Sequence, residues 1–272
     1  LSQKFNSPIS LLVKKNSKAD QYLYQTNYID KIILLDRNKN TENRHGGFLG
    51  SLNLIKDLKE YKFEKIIIFN SSFRFNLIAK LSGALEIKQY PLFKKTRQHI
   101  INTPKKFLKD HFDLEVNEDP EIQIDDAIVS KSIEKFQLNK NELNILLGVG
   151  GSGPTKRIPA KTFLNVMEKI SRHKRCKFFL ATGKEEAEQI ILAEILNTKF
   201  KNLCVPLDNF SIKDTLPIIK SCSISICNDS SFSHLSAALG VNTITLMADT
   251  PLVYGNYSSK MFPIIPEGEE TV

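Results

Sequence analysis

The chain has 272 residues and a formal net charge of +8, and its composition is typical of a soluble globular protein. No apolar run approaches the roughly 18–20 residues of a membrane span. The four cysteines form no Cys-x-x-Cys pair, so we expect no metal site. The positive charge fits either a lysine-rich composition or an anionic partner, and no nucleic-acid-binding motif accompanies it.

The first half of the chain predicts strands that alternate with helices. Short apolar runs predict strands at 9–15, 31–36 and 65–69, and helical periodicity predicts helices at 48–61 and 74–83. The stretch 92–112 is basic and less regular. An acidic, proline-marked segment at 117–126 then has the composition of a link between domains.

The second half repeats this alternation, which favours parallel sheets with helices on both faces. We therefore predict an α/β protein with two Rossmann-like domains, at residues 1–122 and 123–272. The predicted strands of the second domain are 144–150, 177–183, 203–206, 224–229 and 243–248, and its predicted helices are 125–138, 160–173, 184–198, 211–222 and 231–240.

A glycine-rich loop follows the first strand of the second domain, in "GVGGSGPTKR" (148–157). Its glycines satisfy G-x-G-x-x-G, but no acid ends the next strand, as a dinucleotide site would need. Pro154 stands where the lysine of an ATP-binding P-loop would be. The remaining interpretations are a cationic ligand loop containing Lys156 and Arg157, or a plain connecting loop.

A second polar cluster lies where a later strand meets a helix, in "ICNDSSFSHLSAALG" (226–240). Ser230 or Ser231 can cap the helix, whose amides and dipole favour an anion. Asp229 would repel a phosphate and is better suited to the hydroxyls of a sugar or a ribose. The alternative is that Asp229 is an ordinary acid at a helix start and that His234 is a buried, hydrogen-bonded imidazole.

These two stretches together resemble glycosyltransferase family 9, the lipopolysaccharide heptosyltransferases and their relatives. The family's Lys-[Arg/His]-Trp-Pro element is matched by Lys156, Arg157 and Pro159, with Ile158 in place of tryptophan. Its Asp-[Ser/Thr]-Gly-x-x-His-Leu-x-Ala-Ala-Leu-Gly signature is matched by 229–240, with serine in place of the glycine. The family's Gly-Pro-Thr turn is altered here to "MADTP" (247–251).

The resemblance implies a GT-B architecture, in which two Rossmann-like domains face a cleft. It implies an inverting, metal-independent transfer of a heptose-like sugar from a nucleotide-diphosphate donor, typically ADP-heptose, to a lipopolysaccharide-type acceptor, with no cofactor. Lys156 would neutralise the diphosphate, Ser230 and Ser231 would hold a phosphate, and Asp229 would contact the sugar. Ser152 and His234 complete the expected donor site.

The resemblance also implies a general base in a loop that no residue of this chain matches. We expect that base upstream of Leu1, together with the first strand and loop of the first domain. The open alternatives are a catalytically inactive sugar-nucleotide or glycan-binding module of the same fold, or another GT-B enzyme such as a sugar-nucleotide epimerase.

The acceptor side is the less specific part of the resemblance. Arg74 lies in 66–84, which resembles the strand, loop and helix around an arginine in the family. Lys94, Lys95 and Arg97 belong to the basic stretch, which we predict to contact an acidic glycolipid or an anionic membrane surface. The expected location is cytoplasmic, with peripheral contact at the inner membrane. The alternative for the basic stretch is a helix and loop whose charges are simply solvated.

Overall fold

The structure is a computed structural model that describes residues 1–38, 42–92, 99–139, 141–247, 255 and 257–267. It divides into two compact units. Unit 1 comprises Leu1–Asp20 and Asn27–Asn117, and unit 2 comprises Gln21–Thr26 and Glu118–Val272.

The segment that links the units packs with unit 2. Ile122 is buried in a core cluster of unit 2, and its backbone N–H donates to the carbonyl of Ala238 at 2.8 Å. The predicted boundary between residues 122 and 123 therefore lies slightly later in the chain than the boundary between the compact units, at 117/118.

Unit 1 contains two pairs of parallel strands, β1 with β2 and β3 with β4. Its core forms where α3 and α4 pack on β2, around Leu35, Leu54, Leu58 and Ile78. The elements are α1 (Ser2–Phe5), β1 (Ile9–Lys14), α2 (Ala19–Tyr22), β2 (Ile29–Leu35), α3 (Gly47–Tyr61), β3 (Lys65–Ile68), α4 (Phe73–Leu81), β4 (Glu86–Gln89) and α5 (Asn102–Phe112). The last two residues of α2 belong to unit 2.

Unit 2 is built on a parallel sheet of six strands in the order β10-β9-β8-β5-β6-β7. Its elements are α6 (Asp126–Lys135), β5 (Leu143–Gly148), α7 (Ala160–Ser171), β6 (Cys176–Ala181), α8 (Glu186–Leu196), β7 (Cys204–Pro206), α9 (Ile212–Lys220), β8 (Ile224–Asn228), α10 (Ser231–Ala238), β9 (Thr243–Leu246) and β10 (Met261–Ile264).

The central strand β5 shows why unit 2 has two apolar layers. Leu146 packs into the core cluster on one face of the sheet, whereas Ile145 and Leu147 pack into the cluster on the other face. All three are fully buried, as expected for a strand that helices cover on both sides. The α/β fold class predicted from the sequence is confirmed.

Several elements differ from the predicted pattern. The short helices α1 and α2 and the strands β4 and β10 were not predicted, and the stretch 92–112, described from the sequence only as basic and less regular, contains the helix α5. Among the described residues, no helix is both long enough and apolar enough to cross a membrane.

Candidate functional site

The candidate site lies at the carboxyl ends of β5 and β8, which are neighbours in the sheet of unit 2. Asn228, the last residue of β8, ties the two strand ends together. Its Nδ2 donates to the carbonyls of Val149 at 2.9 Å and Gly150 at 3.2 Å. The carboxyl edge of an open parallel sheet is where such folds bind ligands, so this edge is the expected place for a site.

The glycine loop is held by the buried side chain of Glu188, which no sequence motif indicates. The N–H of Gly151 donates to Glu188 Oε1 at 2.8 Å. A Cβ added at Gly150 would lie 2.5 Å from the same oxygen, and one added at Gly183 would lie 2.1 Å from Oε2. The loops after β5 and β6 therefore approach Glu188 closely only because both carry glycine there.

Lys156 and Asp229 meet although 73 positions separate them in the chain. Lys156 ends a short 3-10 turn after the glycine loop, and its Nζ forms a hydrogen-bonded ion pair with Asp229 Oδ2. The Asp229 side chain is 4% exposed and the Lys156 side chain 23% exposed. The two motifs identified in the sequence thus form one cluster at the sheet edge.

Arg157, the second cation of the loop, has a structural role. Its Nε donates to the carbonyl of Gly151 at 2.8 Å, and its guanidinium pairs with Glu185 at 3.1 Å. These contacts brace the loop against the segment that precedes α8. The positive charge that reaches Asp229 is therefore that of Lys156.

The helix α10 begins beside this ion pair. Ser230 is its N-cap, but the Ser230 side chain accepts no hydrogen bond from the first turn of the helix. Ser230 Oγ is buried and has no hydrogen-bond partner in the part of the chain that the structure describes. Ser231 and Ser152 are both exposed. The side-chain cap by Ser230 that the sequence suggested is therefore absent from this helix as the structure describes it.

His234 lies one turn into α10 and is held between two groups. Its Nε2 is 3.8 Å from Asp229 Oδ1, and its Nδ1 is hydrogen-bonded to the hydroxyl of Tyr257. The two rings are stacked, with centroids 5.6 Å apart and an interplanar angle of 16°. Tyr257 was missed from the sequence, because it lies in a segment without helical or strand periodicity.

Burial sets the protonation states of His234 and Tyr257. It lowers the pKa of His234 below the ordinary histidine value; the charge of Asp229 opposes this shift and that of Lys156 adds to it. Burial, with the negative charge of Asp229, raises the pKa of Tyr257 to about 12. At neutral pH the imidazole is therefore uncharged and the phenol keeps its proton.

Of the four predicted acceptor residues, the structure describes only Arg74. Arg74 is half-buried in unit 1, and its guanidinium donates to the carbonyl of His45 at 2.7 Å. Burial lowers its pKa, and the nearby charge of Arg37 adds to this effect. Lys94, Lys95 and Arg97 lie outside the described residues.

The family model described as "Glycosyltransferase family 9 (heptosyltransferase)" matches residues 51–261, which include both parts of the site. The chain belongs to glycosyltransferase family 9. Among curated members of the family, it is 32% identical over 164 residues to lipopolysaccharide heptosyltransferase 1 of Campylobacter coli, covering 58% of this chain and 46% of that protein. It is 27% identical over 258 residues to lipooligosaccharide heptosyltransferase 2 of Campylobacter jejuni, covering 90% of this chain and 76% of that protein.

Solved structures of family 9 show the same fold. The family 9 glycosyltransferase of Veillonella parvula matches with a TM-score of 0.76 at 18% identity, over 95% of this chain and 78% of that chain. E. coli ADP-heptose LPS heptosyltransferase II also matches with a TM-score of 0.76, at 17% identity, over 97% of this chain and 83% of that chain. These likenesses confirm the predicted GT-B fold.

Proposed function

We propose that this family 9 protein transfers a heptose-like sugar from a nucleotide-diphosphate donor to a lipopolysaccharide-type acceptor. The observation that carries the proposal is the contact between Lys156 and Asp229 at the start of α10. This contact brings together the ammonium of Lys156, the N-terminus of α10 and the carboxylate of Asp229, which can accept hydrogen bonds from sugar hydroxyls. All three lie at the carboxyl edge of the sheet, where such folds bind ligands.

In this proposal each group meets a different part of the donor. The ammonium of Lys156 neutralises charge on the diphosphate, and the amides of Ser230 and Ser231 bind a phosphate with the unpartnered Ser230 hydroxyl. Asp229 accepts hydrogen bonds from the sugar, and His234 and Ser152 border the diphosphate. Negative charge on the leaving diphosphate grows in the transition state, so fixed positive groups there accelerate transfer.

We further propose an inverting displacement that requires no metal ion, since lysine and helix amides supply the positive charge at the leaving group. The proposed donor is ADP-heptose. Three findings support this donor: the chain belongs to family 9, one similar solved structure is that of E. coli ADP-heptose LPS heptosyltransferase II, and another similar structure is that of the E. coli heptosyltransferase WaaC with ADP.

Calorimetry with ADP, UDP and GDP tests the donor proposal on this chain. We expect measurable binding of ADP, and weaker binding of the other two if the site selects adenine. Absence of binding by all three nucleotides would contradict a nucleotide-sugar site at this edge of unit 2.

The second candidate is a catalytically inactive sugar-nucleotide or glycan-binding module of the same fold. A sugar-nucleotide-binding module would bind nucleotide as the enzyme does, so sugar transfer by the natural gene product separates the two. Transfer of heptose from ADP-heptose to a lipopolysaccharide precursor would support the enzyme. Binding without transfer would support the module.

For the acceptor, we propose that Arg74 and the basic residues Lys94, Lys95 and Arg97 attract an acidic glycolipid on an anionic membrane. Each basic residue near such a surface contributes about 1 kcal/mol. Changing the last three together to glutamine is expected to weaken binding to vesicles that contain anionic lipid and to raise the acceptor KM. The ADP affinity should stay the same, because the proposed donor groups lie in unit 2. Unchanged vesicle binding and acceptor KM would leave the stretch as a solvated surface.

A further inference from the structure

The imidazole of His234 has hydrogen-bonding groups on both sides. Asp229 Oδ1 lies 3.8 Å from Nε2, and the Tyr257 hydroxyl is bonded to Nδ1. Asp229 is itself held by Lys156 through its other oxygen, Oδ2. The four side chains thus form a row, from Tyr257 through His234 and Asp229 to Lys156.

The chemistry of this row decides which imidazole nitrogen carries the proton. An ionised carboxylate can only accept hydrogen bonds, so the nitrogen that faces Asp229 is favoured as the N–H. In a neutral imidazole the other nitrogen then has a lone pair and must accept. The hydroxyl of Tyr257 must therefore be the donor to Nδ1.

We propose that Tyr257 is a positioning residue of the donor site, whose hydroxyl holds His234 in the neutral tautomer that directs Nε2–H toward Asp229. The effect of this tautomer on donor binding rests on the proposed function. The Nε2–H can donate to a diphosphate oxygen that arrives beside Asp229, whereas the opposite tautomer would present a lone pair to that anion and repel it. Tyr257 would thus act on the donor through His234 without touching it.

Two observations support this role. The stacked rings and the hydroxyl contact fix the imidazole from the side away from Asp229. In addition, the pKa of Tyr257 is raised to about 12 and that of His234 is lowered, so the phenol retains the proton it donates and the imidazole stays neutral at pH 7.

The tautomer can be read directly by ¹⁵N NMR of the imidazole nitrogens at pH 7, without nucleotide, with His234 assigned by comparison with His234→Gln. In the wild-type chain we expect a protonated Nε2 and an unprotonated Nδ1. In Tyr257→Phe, which keeps the ring and removes the hydroxyl, we expect a mixture of tautomers. The His234 pKa should also rise, because the neutral form loses a donor while Asp229 and Lys156 still face the ring.

The same variant should bind ADP about fivefold to tenfold more weakly, the effect of losing one hydrogen bond. Tyr28→Phe, a change of the same kind at an exposed tyrosine in unit 1, should alter neither the His234 spectrum nor the affinity. A protonated Nδ1 in the wild-type chain, or an unchanged tautomer or unchanged ADP affinity in Tyr257→Phe, would overturn the proposal. If the wild-type chain binds no ADP, the proposed function fails, whereas the NMR result still decides what Tyr257 does to His234.

Discussion

Changing Lys156 to alanine is expected to lower the rate of sugar transfer by about 100-fold or more in the natural gene product. The reason is that losing one group that stabilises transition-state charge costs roughly that much in enzymes. The ammonium is also the partner of the buried Asp229 carboxylate. Its removal leaves a negative charge beside the incoming diphosphate, so the ADP affinity measured by calorimetry should fall as well.

Lys201→Ala is the matched control for this change. Lys201 is exposed and lies just before the amino end of β7, whereas Lys156 follows the carboxyl end of β5 in the same sheet. We expect it to leave both transfer and ADP affinity at the wild-type level. Equal activity of the Lys156→Ala and Lys201→Ala proteins would remove Lys156 from the proposed mechanism.

Changing Gly151 to alanine is expected to weaken ADP binding by about tenfold or more while the fold is kept. A Cβ at this position would lie 2.5 Å from the backbone carbonyl oxygen of Lys156. Backbone cannot rotate away as a side-chain tip can, so the loop that carries Lys156 must shift. Such overpacking typically costs about 1–3 kcal/mol of stability. Calorimetry with ADP and thermal unfolding measure the two effects.

Gly153→Ala in the same loop separates this clash from a general effect of added side chains. A Cβ there meets no atom within 4 Å, and the φ angle of −161° is extended backbone that alanine adopts easily. We expect unchanged or slightly increased stability, by about 0.4–1 kcal/mol, since alanine restricts the unfolded chain. If Gly151→Ala behaves like Gly153→Ala, the close approach to Lys156 does not constrain the site.

The sequence was most informative where one residue pattern implies one geometry. The buried strands β5, β6 and β8 are short runs of mostly apolar residues, and parallel strands bring their carboxyl ends to one edge of the sheet. Both sequence motifs follow such strand ends, and in the structure Lys156 contacts Asp229, the residue before the N-cap of α10. The roles of the predicted donor residues in binding and catalysis remain predictions.

The parts that were missed depend on contacts without a local pattern. Three of the four residues of β4 are polar, and β10 contains Pro263, which a strand at the edge of a sheet tolerates. Glu188 resembles any exposed helix acid in the sequence, yet it is buried against the glycine loop. The partner of His234 is 23 positions away at Tyr257, where no motif indicates it.

The long sequence separations within the site have a consequence for folding. The contact of Lys156 with Asp229 closes a loop of 73 residues, and that of Asn228 with Val149 closes one of 79. Closing such loops costs chain entropy, which is recovered only when β5 and β8 are already paired in the sheet. A partly folded unit 2 would therefore have no binding site, and a nucleotide that binds here would stabilise the fully folded chain alone.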